Sequence, residues 1–294
     1  MDKVLSNKKT ILMFLLPCLL LYLAIVIVPI LISGYFSLLD WNGIGKGSFA
    51  GLSNYVQLFK PSSNSFFAAI WHSLILVLMS VFIQLPLALL LALVLAGKVR
   101  GGRFFRMAAF LPVVISTVAV AQLWLKIFQP DYGLLNSLLR AVGLDGLTRQ
   151  WLSNPKTALY AALAPTVWQY IGYHMLLLYC GVKAIPAEVF ESAAIDGANA
   201  WQRSIHITIP LMKSVIQSSL IFAVIGSLKV FDIVYVMTKG GPLHASEVPA
   251  TLMYNEIFQR NHYGYGSAMS VFIVLECLLM TLLIQRIFRS KESL

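Results

Sequence analysis

Charge is scarce in this sequence. Asp, Glu, Lys and Arg make up 12% of its 294 residues, 59% are hydrophobic, and mean hydropathy is +0.79. Soluble domains carry about 25% charge, so this chain has too few ionised groups to cover a water-facing surface, and lipid must solvate much of it. Cysteine is nearly absent too. Cys18, Cys180 and Cys277 each sit in an apolar stretch without CxxC or metal-ligand spacing, which reads as small apolar packing and carries no compartment signal. Acidic residues are outnumbered 12 to 22 by basic ones, for a formal charge of +10. That excess does not mark a nucleic-acid binder, because the basic residues cluster beside apolar runs rather than along one polar face. No G-x-x-x-x-G-K-[ST] loop occurs; the nearest approach, Gly43-Ile44-Gly45-Lys46-Gly47, lacks the spacing and the hydroxyl residue. His72, His174 and His206 are too dispersed for a metal site, and no catalytic triad or paired acid can be assembled, which argues against an enzyme.

What is present is apolar sequence in span-length pieces. A helix needs about 20 apolar residues to cross a hydrocarbon core. Six segments qualify: Ile11–Ser33, Ala68–Leu95, Met107–Phe128, Ala158–Cys180, Val215–Met237 and Ser267–Ile287. The expected fold is therefore all-α, a polytopic membrane protein forming one domain over residues 1–294. The first run is too long and lacks a small-x-small cleavage site, so it reads as a retained span rather than a signal peptide. Orientation follows from the loops. With the N-terminus cytoplasmic, that side holds Lys3, Lys8, Lys9, the tight cluster Lys98, Arg100, Arg103 and Arg106, then Lys183, Arg203, Lys213, Arg286, Arg289 and Lys291. Both termini are expected inside. On the outer side, Asn42–Ser65 is too polar to embed. Gln129–Pro155 contains an amphipathic stretch, Leu134–Val142, suited to a membrane surface.

Between the fourth and fifth spans, residues 185–210 are too charged to cross lipid and too apolar for an idle linker. Pro186 suits the first position of a helix, with Glu188 and Glu191 near its positive end. Gly197 suits its left-handed C-terminus, and a second short helix is expected from about Asn199 until Pro210 stops it. On these residues alone, an anchoring interfacial hairpin and a docking elbow both fit.

The pattern Glu191-Ser192-Ala193-x3-Gly197-x9-Ile207-x-Ile209-Pro210 resembles the cytoplasmic "EAA" loop of permease subunits of ATP-binding-cassette importers, with Ser192 where Ala is usual and Ile209 where Leu is usual. Leu111-Pro112-Val113-Val114-Ile115-Ser116, Ile185-Pro186, Ile195-Asp196-Gly197-Ala198, Phe231-Asp232 and Thr238-Lys239-Gly240-Gly241-Pro242 are similar to carbohydrate-uptake permeases, more specifically the F-type maltose partner. The resemblance implies the type I importer permease fold, here a minimal six-span core without the extra N-terminal spans and large outer insertion of the maltose subunit. It implies a bacterial cytoplasmic (inner) membrane location and a sugar or oligosaccharide substrate. The implied partners are a second homologous permease, an ATPase dimer and an extracytoplasmic solute-binding protein. ATP and Mg would be used by the ATPase subunits, with no cofactor bound by this chain. Glu191, Ser192, Ala193, Asp196, Gly197 and Ala198 would form the coupling helix and its elbow. An ion-coupled secondary transporter, with Asp232 and Glu276 carrying protons, is the alternative; six spans without a detectable inverted repeat weigh against it.

Ionisable residues inside a span are costly and face a cavity or a partner. Lys229 and Asp232 stand i,i+3, where they could pair along one helix face, and Glu276 lies at a depth comparable to Lys229. A structural ion pair and a sugar-contacting site both fit. Trp168, Tyr170, Tyr173, Phe231 and Tyr235 offer faces for sugar stacking, with Gln169, Ser227 and Asn255 as polar partners; packing or an interface belt is the plainer account of each aromatic. Ser116 and Gln122 are similarly open.

Overall fold

In hydrocarbon every backbone N–H and C=O must be satisfied within the protein, so a long apolar run has only the helix available to it. The computed structural model describes residues 8–60, 64–97 and 99–289, and helix dominates it. Lys3, Lys98 and Lys291, used above to orient the chain, lie outside the described residues. The first expected span is α1 (Lys8–Tyr22) with α2 (Val28–Phe36). The polar connection after it carries strands β1 (Leu39–Asp40) and β2 (Ser48–Phe49), paired antiparallel, then α3 (Ser53–Leu58). The second span is α4 (Asn64–Met79) with α5 (Leu85–Ala96). The third divides into α6 (Gly102–Val114) and α7 (Thr117–Ile127), and α8 (Leu134–Ala141) is a separate short amphipathic helix. The fourth is α9 (Pro155–Lys183). Between spans lie α10 (Ala187–Ile195), α11 (Ala200–Arg203) and α12 (Ile209–Leu211). The fifth span is α13 (Lys213–Leu228) with α14 (Asp232–Met237); α15 (Pro249–Phe258) precedes the sixth, α16 (Tyr263–Arg289).

Ile11–Phe36, Ser65–Ala96, Lys213–Met237 and Tyr263–Arg289 are each long and apolar enough to cross a membrane, and the α6–α7 pair makes a fifth candidate. α9 has the length, at 29 residues, but is more polar; its Gln169, Gly172, His174 and Gly181 are buried. It packs against α4, α5, α6, α7, α13 and α14, so its polar groups face protein rather than lipid.

Contacts divide the chain into two units, Met1–Ser63 with Met253–Val274, and Asn64–Leu252 with Leu275–Leu294. In the first, Asn54 donates to the carbonyls of Ser37 at 2.9 Å and Leu39 at 2.8 Å, tying α3 to β1. Gly264 backs onto the Leu39 carbonyl, where a Cβ has no room. The buried Glu256 carboxylate receives Arg260 at 2.5 Å and His262 at 2.8 Å. In the second, one core gathers Leu76, Val120, Phe128, Leu163 and Ile233, and another gathers Ala88, Ala92, Met175 and Met212.

Two expected spans are broken. α6 and α7 meet at 98°, because Ile115 (ψ 138°) and Ser116 (ψ 134°) are extended rather than helical. The fifth span is interrupted at Lys229–Phe231, where Phe231 adopts φ −137° and ψ −64°. The stop expected at Pro210 is absent. The chain stays helical past it through a π turn at Ser204–Thr208, and similar turns at Leu23–Ile27 and Ser80–Gln84 precede Pro29 and Pro86. A proline ring clashes with the carbonyl four residues back, and these carbonyls (Ile25, Phe82 and His206) all fall inside the widened turns.

α9 and α6 touch backbone to backbone. A Cβ on Gly172 would strike the Ala109 carbonyl, whereas Gly34 has open space. Gly172→Leu is expected to cost about 1–3 kcal/mol through overpacking, read as a lower unfolding midpoint in detergent, while Gly34→Ala leaves the midpoint unchanged or slightly raised.

Candidate functional site

Three irregular stretches of helix converge on one cavity of about 330 Å³. Its wall comprises Ser80 and Gln84 from the π turn between α4 and α5, Thr117 at the start of α7 after the first break, and Lys229–Asp232 at the second break. α9 closes it with Thr166, Tyr170, Tyr173 and His174, and α13 adds Phe222, Gly226 and Ser227. This follows from the lipid constraint: non-helical backbone at membrane depth is tolerated where protein or a cavity can satisfy it.

The lining mixes polar and aromatic side chains. Ser80 Oγ lies 2.9 Å from Ser227 Oγ and donates to Gln84 Oε1 at 3.3 Å. His174 Nδ1 lies 2.8 Å from Ser219 Oγ, a contact that fixes the imidazole. Tyr173 stands edge-on to Phe222 with ring centroids 6.4 Å apart, and Phe231 stacks on Tyr235 at 5.1 Å. Thr166 Oγ1 is buried without a hydrogen-bond partner among the described residues, leaving a donor and an acceptor at the wall.

Of the residues singled out from the sequence, Lys229, Phe231, Asp232, Tyr170, Tyr173 and Ser227 line this cavity. Tyr235 reaches it only by stacking behind Phe231. Trp168 turns away and packs edge-on against Trp124 at 5.8 Å. Asn255, on α15, and Glu276, on α16, are not in its wall. The expected ion pairs do not form: among the described residues Lys229 pairs with neither Asp232 nor Glu276. The break at Lys229–Phe231 removes the continuous helix that would have set Lys229 and Asp232 on one face. Gln169 is no wall residue either. It is 1% exposed, and its amide donates to the carbonyls of Pro112 and Ile115, both at 3.3 Å, satisfying backbone freed at the α6–α7 break.

Ser80, Gln84, Thr117, Thr166 and Phe222 also line the cavity without a sequence signal that named them, as does His174, which the sequence offers only as a dispersed histidine. Polar residues inside apolar runs were the available signal; their convergence depended on breaks that hydropathy does not register. No cluster of three or more metal-ligating side chains occurs among the described residues.

The second site is the elbow after α9. Pro186, at ψ 138°, is the N-cap of α10 rather than its first turn. Gly197 takes φ +77°, and its neighbour Ala198 donates back to the Ala193 carbonyl at 2.9 Å, closing the helix end. Asn199 then caps α11 with a reciprocal capping box to Gln202, both bonds 2.9 Å. Glu191, Ser192, Asp196 and Gly197 are exposed, Ala193 is buried and Ala198 half-buried. Ile195 and Trp201, unremarked as surface features in the sequence, are 87% and 71% exposed beside them.

Residues 62–293 match the model of the binding-protein-dependent transport system inner membrane component family. The chain belongs to that family. A probable ABC transporter permease of Bacillus subtilis, YurN, is 36% identical over 98% of this permease and 99% of its own length. The trehalose/maltose transport permease MalF of Thermococcus litoralis is 32% identical over 96% and 94%. A solved bacterial ABC transporter involved in importing the acidic polysaccharide alginate matches with TM-score 0.82 at 24% identity, covering 98% of both chains, and shows the fold. The family assignment replaces the ion-coupled alternative.

Gln169→Ala strips the partner from two carbonyls at the α6–α7 break. A loss of about 1–3 kcal/mol is expected from the unsatisfied groups, seen as a lower unfolding midpoint of the purified permease.

Proposed function

We propose that this permease, with a second permease, forms the membrane pathway for a sugar or oligosaccharide, driven by separate ATPase subunits that use ATP and Mg, and supplied by an extracytoplasmic solute-binding protein. The observation that carries the pathway assignment is the cavity at the two helix breaks, which sets Tyr170, Tyr173, Phe222 and Phe231 beside Lys229, Asp232, Thr166 and Ser80. Aromatic faces suit the C–H surfaces of a sugar ring, and the polar groups suit its hydroxyls; a concave site with a few convergent polar groups is the usual form of a small-molecule site. The carbohydrate transport named for MalF and for the alginate importer supports the substrate class.

Force would enter at the elbow. The exposed face of α10, with Ile195 and Trp201 beside Glu191 and Asp196, suits a groove on an ATPase. Two hydrogen-bonded helix caps meeting at Gly197 make the elbow stiff, so ATPase closure becomes a rigid-body shift rather than being lost in loop motion. Both termini and this elbow would face the cytoplasm, following the placement of basic residues.

The reading is tested in the complete reconstituted complex. Gly197→Pro, which cannot adopt φ +77°, is expected to abolish uptake and sugar-stimulated ATP hydrolysis while the chain still inserts; full coupling would overturn the elbow assignment. Lys229→Met removes a charged hydrogen-bond donor from the wall and is expected to raise the half-saturating substrate concentration about tenfold or more. Unchanged affinity and substrate profile would remove Lys229 from the pathway. Uptake by this chain alone, driven by an ion gradient, would overturn the whole reading.

A further inference from the structure

The 98° bend leaves α6 as a half-length arm. Its 13 residues span about 20 Å at 1.5 Å per residue, against about 15 Å for one leaflet of hydrocarbon. One face of this arm packs on α9, where Gly172 meets Ala109. On the other face Met107, Leu111 and Val114, at helical spacing, are 65%, 59% and 69% exposed. Arg103 stands one turn before Met107 on that same face and is exposed, as is Arg100.

More cations gather at this end of the arm. Arg106 lies over the Tyr179 ring at 4.7 Å, and Lys183 lies 5.9 Å from the same ring while donating to the Ala96 carbonyl at 2.8 Å. These contacts hold α6, α5 and α9 at one level, so the charges form a fixed group. Among the described residues no carboxylate pairs with Arg100, Arg103, Arg106 or Lys183. Between the arginines, Phe104 and Phe105 are exposed as well, a mixture suited to the headgroup boundary and not to a water-filled groove.

We propose that this arm binds an anionic glycerophospholipid, its phosphate held by Arg100, Arg103 and the Arg106–Lys183 pair, and one acyl chain lying along Met107, Leu111 and Val114. Charge and length both select this occupant. Four cations that no carboxylate pairs with among the described residues call for an anion, and the stripe from Arg103 to Val114 runs about 16 Å, the depth of one leaflet. The proposal does not depend on which solute the permease carries.

The test is native mass spectrometry of the complete transporter in mild detergent, with phosphatidylglycerol, phosphatidylcholine or inorganic phosphate added. Wild type is expected to retain phosphatidylglycerol in preference to phosphatidylcholine, with inorganic phosphate failing to displace it. Arg103→Gln should weaken retention about fivefold and Arg100→Gln/Arg103→Gln by about fivefold more, from roughly the stabilisation that one cation gives near an anionic surface. Arg103→Lys should retain it. Equal retention of the two lipids, equal retention by the double variant in an intact complex, or displacement by inorganic phosphate overturns the proposal. So does a bifunctional crosslink from Met107→Cys to the second permease, which would place protein on the stripe.

Discussion

Everything distinctive in this molecule follows from backbone polar groups that have no water to turn to. The rule favours unbroken helices through lipid, and the chain departs from it at three places that border one cavity: the extended pair Ile115–Ser116, the interruption at Lys229–Phe231 and the π turn at Ser80–Gln84. Where the helix is broken outright, carbonyls or amides are freed and need hydrogen bonds from elsewhere. Gln169 serves the first, and at the third the Ser227 hydroxyl meets the Ser80 hydroxyl, side chain to side chain. Side chains that stabilise the breaks therefore border the groups left facing the cavity. Packing and function share one location because both are consequences of the broken backbone.

The prolines show the same constraint handled differently. At Pro29, Pro86 and Pro210 the helix widens for one turn and continues. At Pro112 it ends two residues on, at Val114, and its direction changes by 98°. The widened turn beside Pro86 brings Ser80 and Gln84 to the cavity wall. Pro210 lets the elbow run on into α13 with only the turn at Met212 between, which gives α10 and α11 a short, stiff route to the cavity-lining helix.

Much of this was legible in the sequence. All six apolar runs are helical, two of them with a break, because hydrocarbon leaves a long apolar run little alternative to helix. The elbow was legible from cap chemistry: Gly197 is the residue that accepts positive φ, and Asn199 with Gln202 can form a reciprocal cap. The breaks were not legible. Apolar runs 107–128 and 215–237 read as continuous spans because hydropathy averages over a window and does not register dihedral angles. From that assumption came the Lys229–Asp232 pair, which needs an intact helical register. The cost of burying an ion did point to Lys229 and Asp232, and both border the cavity. For Glu276 and Asn255 the same reasoning named polar residues that lie elsewhere. The exposure of Ile195 and Trp201 depended on which face of the elbow the rest of the chain covers.

The central claim is that the cavity at the helix breaks is the solute pathway. Gly226 lines it, and a side chain added there meets open space. The most direct measurement is the rate at which a water-soluble thiol reagent modifies Gly226→Cys in the assembled, transport-competent complex with Cys18, Cys180 and Cys277 replaced by serine. The account predicts modification during turnover, slowed by the transported sugar and not by sugars that the complex does not carry. Modification at the same rate with and without transported substrate, in a complex that still transports, would contradict it.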